Sequence, residues 1–115
     1  MNSPPHGGLP TEAIALKDGP VDSAPTVKAF TQAAHRLDAV SDPVRLRILW
    51  WLGQGERSVT DLCGLVHMRQ QAVTHHLNIA KLRRLVAYRR QGRYTLYRLT
   101  DAGQEAMTAA TMLIR

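Results

Sequence analysis

The sequence predicts a mainly α domain that carries one β-hairpin, with its elements in the order α-α-α-α-β-β-α. Three observations predict it. Apolar residues recur at helical spacing in five segments between Thr26 and Ile114, and two short runs rich in aromatic and aliphatic residues flank a single glycine-bearing turn at Gly92. In the segment from Arg69 to about Arg84, residues Val73, Leu77 and Ala80 fall on one helical stripe, while Gln71, Thr74, His75 and Asn78 share another face. One face packs and the other is free to read a partner.

At 115 residues the chain suits one domain, and its 44% apolar content supplies a modest core that a second copy would supplement. Residues 1–24 read as a flexible N-terminal arm. Pro4, Pro5, Pro10 and Pro20, with Pro25 just after, and Gly7, Gly8 and Gly19 leave room for no more than a transient turn at Glu12–Lys17. The folded domain is then 25–115. No apolar run reaches membrane-spanning length, and the N-terminus lacks the charged start and apolar centre of a signal peptide. We expect a cytoplasmic protein with no membrane partner. Its single cysteine, Cys63, excludes an intrachain disulfide and a multi-thiolate zinc site made within one chain.

The first helix runs from Thr26 to Ala39, with Phe30, Ala33, Ala34 and Leu37 on its apolar face and Pro25 near its start. Ser41 or Asp42 can cap the second, in which Pro43 is tolerated in the first turn. Val44, Ile48 and Leu52 line one side, Leu46 and Leu49 widen it, and Gly53 and Gly55 end it. So broad an apolar face belongs to a buried helix, so Trp50 or Trp51 must point away from the main core; the pair reads as core or dimer packing, with a ligand pocket as the alternative. Ser58 caps a short third helix, Val59 to about Val66, with Leu62, Leu65 and Val66 apolar and Asp61 placed where the helix dipole favours an acid. The connection His67-Met68-Arg69 leads into the fourth helix, and His67 stands where such a turn needs a positive φ.

Two helices joined by so short a turn form a helix-turn-helix, in which the first braces the second. Val86–Arg89 and Tyr94–Leu99 follow as strands around Arg90-Gln91-Gly92-Arg93, giving a wing tipped with arginine. Thr100 or Asp101 then caps a last helix with Ala106, Met107, Ala110, Leu113 and Ile114 on its apolar side. The first and last helices have apolar faces to spare, so we expect them to form a homodimer interface.

Charge locates the working surface. The net charge is +6, yet no Asp or Glu lies between Asp61 and Asp101, a window that holds Arg69, Lys81, Arg83, Arg84, Arg89, Arg90, Arg93 and Arg98. Uncharged hydrogen-bonding side chains flanked by cations suit the major groove of double-stranded DNA. Gln70, Gln71, Thr74, His75 and Asn78 are the candidate base-reading residues; Arg69, Lys81, Arg89, Arg90 and Arg93 are the candidate phosphate contacts. His75 and His76 are adjacent and diverge by about 100° on a helix, so they do not chelate one metal. His76 reads as a boundary packing residue, and His6, His35 and His67 as solvent-facing or structural. No phosphate loop, carboxylate pair or nucleophile arrangement points to an enzyme.

The stretch Ala39-Val40-Ser41-Asp42-Pro43-Val44-Arg45-Leu46-Arg47-Ile48-Leu49 resembles the ArsR/SmtB family of winged-helix repressors. So do Ala72-Val73-Thr74-His75-His76-Leu77, Leu85-Val86, and Arg89-Arg90-Gln91-Gly92-Arg93 with Tyr97-Arg98-Leu99, in that order. The resemblance covers roughly Lys28 to Arg115. It implies a winged helix-turn-helix homodimer that represses from an inverted-repeat operator and, in many members, releases DNA when a metal or oxidant binds.

The sensing residues depart from that pattern. Where the arsenic-responsive branch has Glu-Leu-Cys-Val-Cys-Asp-Leu-Cys, this chain has Glu56-Arg57-Ser58-Val59-Thr60-Asp61-Leu62-Cys63, and hydroxyls do not replace soft thiolates. Of the zinc branch's last-helix pair, Asp101 matches the acid while Gly103 stands for the histidine, and the residues up to Arg115 supply neither later ligand. No cofactor or metal is therefore expected, and the inducer stays open. Cys63 is left as a possible redox residue, read first as a core filler among Leu62, Leu65 and Val66. The alternative to a sequence-specific repressor is a winged-helix module for protein contacts, which would require neither a basic wing nor a base-reading face.

Overall fold

The computed structural model describes residues 23–115, so all of the expected arm except Ser23 and Ala24 lies outside the described residues. The chain divides into two units between Phe30 and Thr31, inside the first helix, α1 (Val27–Val40), and the core and sheet lie in the second. There α2 (Pro43–Leu52), β1 (Arg57–Ser58), α3 (Val59–Val66), α4 (Gln70–Leu82), β2 (Val86–Gln91), β3 (Tyr94–Leu99) and α5 (Asp101–Thr111) follow in order. This is a winged helix-turn-helix with one strand more than the sequence predicted. No helix among the described residues is long and apolar enough to cross a membrane.

The extra strand, β1, pairs antiparallel with β3, Arg57 opposite Tyr97 and Ser58 opposite Leu96, so the sheet order is β1-β3-β2. Two residues carry no periodicity, which is why sequence patterning passed over them. Between β2 and β3 the register runs from Val86 opposite Leu99 to Gln91 opposite Tyr94. The loop is therefore only Gly92-Arg93, with Gly92 at φ 60 supplying the left-handed residue that a two-residue hairpin needs. Arg90, expected in the turn, belongs to the strand instead.

The caps follow from short polar side chains at the right offsets. Asp42 is the α2 cap, its Oδ2 accepting from the Arg45 amide at 2.9 Å, and Pro43 fills the first turn. Ser58 and Asp61 form a reciprocal capping box on α3: Ser58 Oγ accepts from the Asp61 amide and Asp61 Oδ2 from the Ser58 amide, each at 3.0 Å. His67 closes α3 in the left-handed conformation at φ 56, as its place in the turn required. Thr100 caps α5, and that helix ends at Thr111, short of Leu113 and Ile114.

Ile48, Leu49 and Leu52 from α2 meet Leu62 and Val66 from α3, Val73, Leu77 and Ala80 from α4, and Leu85, Val86, Tyr97 and Met107 in one core. Removing this much aliphatic surface from water is what holds so small a unit together. Trp51 is half-buried against the core, while Trp50 is exposed and meets its ring edge-on with centroids 5.0 Å apart. By contrast α1 buries only Ala39 and leaves Leu37 64% exposed. Between α1 and α5 lies an open apolar groove of about 670 Å³, lined by Ala33, Leu37, Val40, Ala106, Ala109 and Leu113 among others.

Candidate nucleic-acid interface

Burial of Val73, Leu77 and Ala80 fixes the rotation of α4 about its own axis, and that rotation alone decides what the opposite face offers. Gln70, Gln71, Thr74, His75 and Asn78 line one shallow concavity on the surface. All are exposed except Thr74, which is half-buried. The five are hydrogen-bonding side chains, so the concavity offers donors and acceptors of varied reach. Arg69 stands at its N-terminal rim as the α4 N-cap residue, giving no side-chain cap bond.

The other cations differ in what already holds them. Lys81 places its ammonium 4.9 Å from the centre of the Tyr88 ring. Arg90 donates from Nη1 to Thr95 Oγ1 at 3.0 Å across the hairpin, and Arg93 sits exposed in the turn. Arg89 is engaged most fully: Nε and Nη2 each donate to the Glu56 carboxylate at 2.8 Å, a bidentate pair that lowers the Glu56 pKa and raises that of Arg89. Sequence reading missed this partner. Glu56 lies outside the acid-free window, 33 residues from Arg89, and no local spacing announces the meeting.

A second cluster was also missed. Arg45 donates from Nε to the Ala39 carbonyl at 2.7 Å and from Nη2 to the Asp38 carbonyl at 3.3 Å, closing the end of α1. Its Nη1 lies 3.3 Å from His76 Nδ1, within hydrogen-bond distance, and Asp42 Oδ2 lies 3.7 Å from the same nitrogen. His76 is thus not a mere packing residue; it ties α4 to the α1–α2 junction. Burial lowers its pKa below the ordinary 6.5, with Asp42 opposing and Arg45 and His75 reinforcing the shift.

The sign of the linkage follows from that direction. A histidine whose folded pKa is lowered contributes stability above its unfolded value, and the contribution fades as pH falls through 6.5 toward the folded value. Asp42, lowered chiefly by the Arg45 amide, keeps its contribution until about 3.8 and loses it below. Urea unfolding at pH 7 and pH 5.5 is therefore expected to show a loss of stability on acidification that is smaller in His76→Gln. An equal loss in both proteins would remove His76 from the account.

Residues 42–88 match the sequence profile of the bacterial regulatory protein, arsR family. A transcriptional repressor SmtB homologue from Synechocystis is 40% identical over 67% of this chain and 61% of its own length. The repressor SmtB of Mycobacterium tuberculosis is 35% identical over 83% of this chain and 71% of its own. The chain belongs to the ArsR family. Among solved structures, a homodimeric winged helix-turn-helix DNA-binding domain from Mycobacterium bovis superposes with a TM-score of 0.62 at 27% identity, over 93% of this chain and 85% of that one.

Against the metal sites of ArsR-family members, the residues here do not fit. Ser58, in the place of one thiolate, commits its hydroxyl to the α3 cap, and Thr60 is a neutral hydroxyl on the helix surface. Cys63 is half-buried against the core, and its carbonyl accepts from the amides that close the helix-turn-helix connection. Gly103 is closed to any side chain, because a Cβ there would fall on the Leu85 carbonyl oxygen. Among the described residues no three His, Cys, Asp or Glu side chains gather around one point.

Proposed function

We propose that this chain is a cytoplasmic, homodimeric transcriptional repressor that reads an inverted-repeat operator with α4 and holds its phosphates with the wing. The observation that carries the reading is the concavity on α4: five polar side chains brought onto one surface, with Arg69 and Lys81 at the two ends of the helix. The two relatives, both transcriptional repressors, point the same way. So does the M. bovis domain, a homodimer that binds DNA. For the dimer contact we assign α1 and α5, whose groove exposes Leu37 and Leu113 to solvent at 64% and 78% in the single chain. Two-fold symmetry then presents two copies of α4 to successive major-groove faces, and a palindromic site follows.

The test separates reading from holding. A cognate duplex is selected from a random-sequence library with the purified protein. Thr74→Ala or His75→Ala is expected to lose about 1–3 kcal/mol on that duplex and little on random DNA, whereas Arg90→Ala or Arg93→Ala weakens both alike. Uniform losses for Thr74 and His75 on both duplexes would show that α4 does not read bases.

A further inference from the structure

The cations of this domain are not confined to the wing and the rim of α4. Gln32, His35 and Arg36 on α1 face Leu82, Arg83 and Arg84 at the end of α4 across a mostly polar cleft of about 220 Å³. No carboxylate lines it. Among the described residues the acid–base pairs are Glu56 with Arg89 and Asp42 with His76, so none engages Arg36, Arg83 or Arg84. The end of a helix favours a cation through its dipole, which accounts for Arg83 alone. It does not account for three donors brought in from another helix.

Arg84 is the second observation. Its φ is 61, and the bonds from Arg84 N to Lys81 O and from Leu85 N to Ala80 O, 2.9 and 3.0 Å, complete a helix-ending motif whose left-handed position glycine fills without strain. Thr100 Oγ1 donates to the Arg84 carbonyl at 2.6 Å and holds that backbone in place. The chain therefore keeps a guanidinium where backbone geometry favours no side chain at all. His75, Asn78 and Leu82 fall at i, i+3 and i+7 on α4, so the base-reading face leads directly to the cleft. On α1, Gln32 and His35 share the side of buried Ala39, away from the exposed Leu37 and off the assigned dimer groove, while Arg36 borders both the cleft and that groove.

We infer that this cleft is a second phosphate-binding site, which takes the DNA backbone just beyond the bases read by α4. The inference rests on the proposed repressor function, and the shared chemistry, a phosphate oxygen met by guanidinium and imidazole donors, is open in principle to free anions as well. The testing variant is Arg83→Gln with Arg84→Gly, both off the assigned dimer groove, and the glycine removes the guanidinium while relieving the positive φ. Affinity for the selected duplex is measured against salt concentration by fluorescence anisotropy, with the full duplex and with one trimmed at both ends. In a dimer the double variant is expected to lower the slope of log affinity against log salt by about 2 to 4, at about 0.9 per phosphate lost. Wild-type protein on the trimmed duplex should match the variant on the full one.

In parallel, inorganic phosphate is compared with chloride at equal ionic strength in thermal unfolding. Phosphate stabilisation confined to wild type, together with an unchanged DNA slope, would assign the cleft to a free anion and overturn the backbone contact. An unchanged slope while wild type still binds its duplex overturns the cleft and leaves the repressor reading intact. No selected duplex at all overturns both.

Discussion

Raising the salt from 50 to 200 mM is expected to weaken binding to the selected duplex by roughly 10³–10⁵, the largest response we foresee for this protein. The magnitude comes from counting charge. Between Asp61 and Asp101 eight Lys and Arg residues stand with no acid among them, and two-fold symmetry doubles the supply. If on the order of 6–10 phosphates are met, each releases its counterion on binding, and the released ions set the slope. Arg89 already holds Glu56 through two bonds of 2.8 Å, so Arg89→Ala should flatten the slope less than Arg93→Ala does. Affinity indifferent to salt, or a protein that stays monomeric at micromolar concentration, would count against the repressor reading itself.

Placing a side chain at residue 103 is expected to produce the largest loss of stability. Gly103 lies in the first turn of α5, buried, with the Leu85 carbonyl carbon 3.1 Å and Leu99 Cδ2 3.2 Å from where a Cβ would stand, and the Leu85 oxygen nearer still. The obstruction is backbone, and it cannot swing aside. The same Leu85 oxygen accepts from the Thr100 amide at 3.0 Å, and Thr100 Oγ1 caps Gly103 itself, so moving α5 outward breaks the cap as well. Gly103→His should therefore cost about 3 kcal/mol or more in urea unfolding, and Gly103→Ala nearly as much. Gln104→His, one residue on and exposed, should fall within about 0.5 kcal/mol of wild type. An alanine tolerated at 103 would mean that the helix rides further from Leu85 than the structure places it. Restoring a family-type histidine here is a packing problem before it is a question of metal affinity.

What was legible in the sequence was whatever local spacing encodes. The stripe of Val73, Leu77 and Ala80 is buried as its period required, and the opposite face carries Gln71, Thr74, His75 and Asn78. Ser58 announces the cap and Asp61 its place in the first turn, though not the reciprocal bond between them, and His67 announces its left-handed turn by position between two helices. The remainder depends on residues far apart in the chain. Arg45 meets His76 across 31 residues and Glu56 meets Arg89 across 33, and no window of sequence holds both partners. The strand Arg57–Ser58 is too short for a pattern; only its pairing with Leu96 and Tyr97 makes it a strand. Gly103 looked like the loss of a ligand. Its closeness to the Leu85 carbonyl, which requires glycine there, is invisible until the two helices and the hairpin are assembled.

The small strand β1 has a mechanical consequence. It pairs with β3 on one side and runs without a break into α3 on the other, since Ser58 is both its last residue and the α3 cap. The wing is clamped again from the same segment by Glu56 and Arg89. Hairpin and brace helix therefore share a rigid joint, and a hinge between them would have to break backbone pairing, a capping box and a bidentate ion pair together. A tilt of α3 is expected to carry the wing with it, so that under the proposed repressor function helix and wing would meet or leave DNA together, as one lever.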